Sequence, residues 1–322
     1  MPIELPGACR ELVGLQCGVI GRQQAVCSGL RPDTIETLLR TGRWQRMRRG
    51  VYATFTGDPC REAQMWAALL RAGPNAVLSH QTAAELFGLV DNSAGPIHVM
   101  VPRASQPGRI SGVVTHRVER ARSARHPSLR PPRTRIEDTV LDLAASAKSI
   151  DEAFSWVFRA TGKRLTTAER IRHEIVPRQK MRWRAEVLSC LDDVDDGVRS
   201  NLEYRYVRDV ERPHGLPHAV RQARVIRNGQ IYYLDNLYEG HLVCVELDGR
   251  IAHPFGERWR DFRQDNAGAE DGIITLRYGW SDITGHPCEA AAQIAGILRR
   301  RGWQGAEHRC GPRCALPLSG RR

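Results

Sequence analysis

A chain of 322 residues is too long for one small domain and implies two or three. Its hydrophobic share of 41% excludes wholesale disorder, and no apolar run approaches the roughly 18 residues a membrane span requires. The formal charge of +12 favours a polyanionic partner, because arginines that neutralise phosphates release condensed counterions, although a GC-rich genome would also write arginine in place of lysine. Only Lys148, Lys163 and Lys180 are lysines.

The nine cysteines are odd in number and mostly scattered, which reads as reduced thiols. Met1 to Arg10 lacks the pattern of a secretory leader, so the expected compartment is the cytoplasm.

From Val19 to Thr54 the pattern is helix, turn, helix and hairpin. Ile20, Gln24, Ala25 and Cys27 suggest a first helix, broken at Ser28-Gly29, and Asp33 with Glu36 suggests a capping box opening a second. Ile35, Leu38 and Leu39 supply its apolar stripe, and Gly42 ends it. Two short strands around Arg48-Arg49-Gly50 then give the order of a winged helix-turn-helix. Arg40, Arg43, Arg46, Arg48 and Arg49 fall where phosphates beside a groove would lie, so they are the candidate DNA-binding residues of the head; a solvated basic hairpin is the plainer alternative.

An amphipathic helix from Arg61 to Arg71, a second from Ser79 to Leu86, and strands at Ile97 to Val101 and Val113 to His116 suggest a small α/β extension. From the loop between those strands to Arg135 there are nine arginines against Glu119 alone, the composition of a mobile basic connector. Ile136 to Leu191 reads as helical. His116, His126 and His173 sit alone in sequence and read as surface or core histidines rather than ligands.

The sharpest signal lies in the last third. A helix from Val198 to Glu211 carries the stripe Leu202, Tyr206 and Val210 with Glu203 beside it, and three alternating segments follow, Ala219 to Arg227, Gln230 to Tyr238 and His241 to Asp248. With a two-residue turn at Glu239-Gly240, Tyr238 faces His241 and Asp235 faces Cys244, which sets Asp235, Glu246 and Asp248 on one face with Glu203 approaching from the helix. Acids gathered this way repel unless a cation neutralises them, and a hard ion, Mg²⁺ or Mn²⁺, takes carboxylate oxygens and activates water for phosphodiester hydrolysis. An exposed strand face paired with arginines is the alternative. Near the end, Cys310-x3-Cys314 with His308 lacks a fourth ligand at suitable spacing and reads as a loose tail rather than a zinc knuckle.

On Trp44 to Tyr52 and Leu78-Ser79-His80-Gln81-Thr82-Ala83-Ala84, the region from Val19 to about Val118 resembles the winged-helix domain of AbiEi-like antitoxins and related regulators, which implies DNA binding. On Ser200-Asn201-Leu202-Glu203, Tyr233-Leu234-Asp235, Val245 to Arg250, Arg260 to Asn266 and Thr275-Leu276-Arg277-Tyr278, the region from Asp196 to Trp303 resembles the very-short-patch-repair (Vsr)-like branch of the PD-(D/E)XK nucleases. That resemblance implies Glu203, Asp235 and Glu246 as catalytic, metal-holding acids; Asp248, a further catalytic and metal candidate from the shared strand face, stands where many relatives place lysine. Because an aspartate supplies no positive group, His253, Arg258, Arg260 and Arg263 are candidates to compensate, His253 as a base and Arg260 and Arg263 also as DNA contacts. Asp261 and Asp265 read as helix-surface ion-pair partners.

The expected architecture is α+β and multidomain. It comprises a winged head (1–60), an α/β extension and connector (61–135), a helical segment (136–195), a restriction-endonuclease-like domain with a mixed sheet (196–304) and a flexible tail (305–322). The expected partner is double-stranded DNA, with no membrane and no small-molecule substrate. The expected function is a metal-dependent DNA endonuclease or nicking enzyme; the alternatives are a DNA-binding regulator or antitoxin with a weak or inactive nuclease-like domain, and an RNA-directed nuclease.

Overall fold

The structure is a computed structural model, and it describes residues 4–91, 94–227, 230–248 and 271–316. It is a mixed α+β protein whose strands form three sheets, two of them mixed. No described helix is long and apolar enough to cross a membrane. The chain divides into two compact units, Met1–Lys148 with His173–Arg182, and Ser149–Arg172 with Trp183–Arg322.

The first unit opens with α1 (Gly7–Leu15), which the apolar pattern had not suggested, and β1 (Val19–Gly21). Ile20 therefore lies in a strand rather than in the expected first helix, which is confined to α2 (Arg22–Cys27). The next helix, α3 (Pro32–Arg40), starts with a proline at its first turn and Arg31 at the N-cap, so Asp33 sits inside the first turn and the expected Asp33–Glu36 box is not formed. Glu36 pairs instead with Arg22 at 2.9 Å. Ile35 and Leu38 of α3 pack with Ile20, Trp44 and Tyr52. The hairpin of β2 (Gln45–Arg48) and β3 (Val51–Ala53) is joined by β1 on its far side, giving the order β1-β3-β2.

There is no break at residue 60, because Val19 and Val51 share one core with Trp66 and Leu69 of α4 (Arg61–Ala72) and with Val99 and Val101 of β5 (Ile97–Pro102). β4 (Val77–Leu78) pairs antiparallel to β5, and β6 (Val113–Val118) pairs parallel to it, with α5 (His80–Leu86) between β4 and β5 in the chain.

The basic stretch after β6 is built into this unit rather than left as a connector. Arg133 is buried and donates to the carbonyls of Leu86, Arg130 and Pro131. Arg120 pairs with Asp138 and Asp142 of α6 (Ile136–Ser146), and Arg178 donates to the same two carboxylates at 2.5 and 2.6 Å.

The second unit contains α7 (Ile150–Gly162), capped by Ser149, and α9 (Arg184–Asp195), while α8 (Ala168–Ile175) spans the boundary at residue 172. The helical segment expected at 136–195 is thus divided between the units. Ser200 caps α10 (Asn201–Arg205) by accepting from the Glu203 amide, and α10 runs on as a π-helical turn, Tyr206–Glu211. Leu202, Tyr206 and Val210 are buried, as their stripe requires.

A four-stranded mixed sheet follows in the order β10-β9-β8-β7. β7 (Val220–Arg227), β8 (Gln230–Tyr238) and β9 (Val243–Asp248) are antiparallel neighbours, and β10 (Ile274–Gly279) lies parallel to β9. α11 (Trp280–Gly285) and α12 (Pro287–Arg300) complete the unit, with Ala291, Ile294, Ala295 and Leu298 of α12 fully buried. Residues 305–316 are not a loose tail: Cys314 and Leu316 are buried and the His308 amide donates to the His214 carbonyl at 3.0 Å.

One ion pair lies in the core of this unit. Arg221 donates to both oxygens of Glu211, at 2.5 and 2.9 Å, and to Asn236 at 2.6 Å. The Tyr238 hydroxyl donates to Glu211 as well and shares a 2.5 Å hydrogen bond with Tyr206. Burial and the Glu211 charge push both phenols well above the ordinary tyrosine range, so they stay neutral donors.

Candidate metal and carboxylate site

The β8–β9 connection holds four residues rather than two. Glu239–His241 form a 3-10 turn and Leu242 takes a left-handed conformation (φ +51°), so Tyr238 pairs with Val243, Leu237 with Cys244 and Asn236 with Val245. The expected pairing of Asp235 with Cys244 is therefore off by two positions. Since side chains alternate with a period of two, the correction leaves Asp235 on the same face as Glu246 and brings the two opposite each other along the register.

Asp235 also ends the regular ladder between these strands. Its Oδ2 accepts from the Leu247 amide at 2.9 Å, so a side chain takes the place of a backbone carbonyl. Its Oδ1 accepts from Gln222 Nε2 at 3.1 Å, and the same amide supports Glu203. Gln222 sits on β7 at φ +48°, a conformation uncommon for a residue with a Cβ and one that marks functional sites when other contacts hold it. Glu203 reaches the group from α10, its Oε2 accepting from the Arg199 amide at 2.9 Å. Glu246 accepts from the Cys244 thiol at 3.3 Å.

The electrostatics follow from this crowding. Burial, with repulsion from Asp235, pushes Glu203 up to about 7, and the same two causes push Glu246 up to about 7. Burial also raises Asp235, opposed by the Leu247 amide, the Gln222 amide and Arg277. Asp248 adds negative charge near Asp235. Arg277 of β10 stands opposite Glu246 in the parallel register, and its charge acts on both Asp235 and Glu246. Gln222 is invisible to a search for acids, and Arg277 was legible only as part of a motif; the parallel β9–β10 pairing is what gives it a place here.

Oxygen donors whose charges resist coexistence suit a hard divalent ion, which binds carboxylates together with water. Glu203, Asp235, Glu246 and Asp248 are the residues that would hold it. They are not, however, among the groups whose donor atoms all lie within 4.8 Å of one another in the described residues; those are His214 with Cys288, Cys310 and Cys314, and His80 with His98 and His116. His253, Arg258, Arg260, Asp261, Arg263 and Asp265 lie outside the described residues.

The second of those groups corrects the reading of His116 as solitary. His98 Nδ1 lies 3.0 Å from His116 Nε2, and the rings of His80 and His116 stack at 3.7 Å. Burial, reinforced by the neighbouring histidine, lowers His80 to about 3 and His98 to about 4, so the stack is neutral at pH 7.

Of the candidate DNA contacts, Arg40, Arg43, Arg46 and Arg49 are exposed around the end of α3 and the β2–β3 hairpin. Arg48 has a structural engagement, donating to the Ser111 carbonyl at 2.6 Å, and burial lowers its pKa. His126 accepts from the Ser128 and Leu129 amides, and His173 is exposed beside Glu174.

No known protein-family model matches the chain, and no curated protein matches it.

Proposed function

We propose that the protein is a metal-dependent nuclease acting on DNA, with Glu203, Asp235, Glu246 and Asp248 holding a divalent cation and the arginines of the N-terminal unit gripping the duplex. The observation that carries this reading is the convergence of Glu203 and Glu246, both raised to about 7, on Asp235, with the Gln222 amide donating to Asp235 and supporting Glu203. Structural ion pairs alone do not call for such an arrangement, and perturbed carboxylates gathered at one place are a mark of chemistry. The motifs resembling the Vsr-like branch of the PD-(D/E)XK nucleases give Glu203, Asp235 and Glu246, and Asp248 stands where many members of that branch carry lysine.

The ion would supply a Lewis acid and a water of lowered pKa. Gln222 fixes Asp235 and Glu203 through its amide, and the Leu247 amide fixes the second oxygen of Asp235, so the acids are oriented before any substrate arrives. Arg277 supplies a positive group beside Glu246, the role that Asp248 cannot fill where relatives carry lysine.

The test is plasmid nicking in Mg²⁺ or Mn²⁺ by the wild type, Asp235→Ala and Glu246→Ala. Cleavage by the wild type alone supports the reading, and equal cleavage by all three removes it. The absence of lysine at position 248 favours a second reading, a DNA-binding regulator whose nuclease-like domain is inactive. Promoter binding abolished by Arg46→Ala with Arg49→Ala, indifferent to chelator, and unaccompanied by cleavage would select it.

A further inference from the structure

Near the C-terminus of the chain, four side chains from three separate segments meet at one point. His214 follows the π-helical turn, Cys288 sits in the first turn of α12, and Cys310 and Cys314 come from the docked segment beyond it. Cys288 Sγ lies 3.7 Å from Cys310 Sγ and 3.6 Å from Cys314 Sγ, and Cys314 Sγ lies 3.6 Å from His214 Nε2. None of these thiols is in a disulfide.

Those three separations match edges of a tetrahedral zinc site, and all four ligand atoms lie within 4.8 Å of one another. Ligands about 2.3 Å (sulfur) and about 2.0 Å (nitrogen) from a central zinc ion stand roughly 3.7 Å apart sulfur to sulfur and roughly 3.5 Å sulfur to nitrogen. Sulfurs joined in a disulfide would be about 2.05 Å apart, and thiols merely packed in a core have no reason to gather around a common centre with an imidazole. The histidine is also set for coordination. His214 is fully buried and its Nδ1 donates to the Val210 carbonyl at 2.9 Å, which fixes the tautomer and leaves the Nε2 lone pair facing the three sulfurs.

We propose that His214, Cys288, Cys310 and Cys314 form a structural zinc site that pins the C-terminal segment to the second unit. Three thiolates and one imidazole close the coordination shell, which is the signature of a structural ion rather than a catalytic one. His308, the residue whose spacing suggested a ligand, is not part of the set: its ring packs on Gly215, where a Cβ would come within 2.4 Å of His308 Nδ1, and its backbone amide holds the His214 carbonyl. Gly215 itself has φ +65°, so a side chain there is disfavoured twice. The zinc site is independent of the carboxylate site, since Mg²⁺ does not compete for thiolates.

The experiment is elemental analysis of the full chain purified without a metal-affinity tag, together with thiol alkylation read by mass spectrometry. The expected result is close to one zinc per chain, with Cys288, Cys310 and Cys314 alkylated only after a strong chelator is added. Cys310→Ser and Cys314→Ser should lose most of the metal, and His308→Ala should keep it. Adding Co²⁺ to the chelated wild type should give a thiolate-to-cobalt charge-transfer band. A wild-type chain that carries no zinc and takes up neither Zn²⁺ nor Co²⁺ would overturn the proposal, as would free alkylation of the three thiols in untreated protein. Because alkylation is read on the wild type, a variant that fails to fold does not decide the matter.

Discussion

Arg221 and Glu211 bury their charges against one another at 2.5 Å, each side chain no more than 3% exposed. Removing one partner leaves the other charge in the core, so Arg221→Met should lower the stability of the second unit by about 3–5 kcal/mol in urea unfolding. Arg221→Met combined with Glu211→Leu should recover much of that loss. Additive losses would show that the two residues contribute separately.

The carboxylate group should destabilise the fold when no cation is bound. Glu203 and Glu246 have folded-state values near 7 against 4.5 for the free side chain, so the folded chain holds more protons than the unfolded one between those values. The stability they contribute is complete below about 4.5 and is lost as pH rises through 7. Glu246→Gln should therefore raise the midpoint of metal-free thermal unfolding at pH 7.5 by about 2–4 °C and diminish the stabilisation given by Mg²⁺. A drop in the midpoint would mean that the acids are satisfied without an ion.

The histidine stack should act in the opposite direction. His80 and His98 titrate near 3 and 4 when folded, below the ordinary 6.5, so the unfolded chain binds more protons in that window. Their stability is present above about 6.5 and is lost as pH falls through 4 to 3. Hydrogen exchange resolved by peptide should show β5 and β6 losing protection on acidification from pH 7 to 5, and His80→Phe with His98→Phe should flatten that response.

Gln222 should affect chemistry more than stability. Gln222→Gly accepts the positive φ but loses the amide that holds Asp235 and Glu203. The proposed nuclease turnover should fall by about 10–100-fold, the usual effect of losing a group that orients metal ligands, while the unfolding midpoint holds or rises. An unchanged turnover would remove Gln222 from the site.

The proposed grip of the first unit on DNA should separate its arginines. Arg40→Ala, Arg46→Ala and Arg49→Ala should each reduce the slope of log K against log salt by about 1. Arg48→Ala should leave the slope nearly unchanged and instead weaken the fold around Ser111, whose carbonyl it holds.

Much of the local structure was legible from pattern. Strand alternation gave β5 to β9, the stripe Leu202, Tyr206 and Val210 gave the buried side of α10, and both rest on the periodicity of apolar residues. The β8–β9 pairing missed by two residues because Glu-Gly suggests a tight turn, whereas Leu242 in a left-handed conformation makes room for a 3-10 turn. What could not be read were meetings between distant segments. His214 and Cys314 stand 100 positions apart in the chain, and no spacing rule joins them. The same holds for Gln222 with Glu203, and for the histidines that β5 and β6 bring side by side.

The chain leaves the first unit after Lys148, returns at His173 and leaves again after Arg182. On the ribosome, α6 emerges before the residue that neutralises it, and Asp138 and Asp142 must wait for Arg178 with only Arg120 at hand. Neither unit can be excised by a single cut, and a polypeptide ending at residue 148 would carry two buried acids with half their counter-charge missing. Dissection of this protein into working halves therefore has to carry residues 173–182 along with the first, or supply them as a separate peptide.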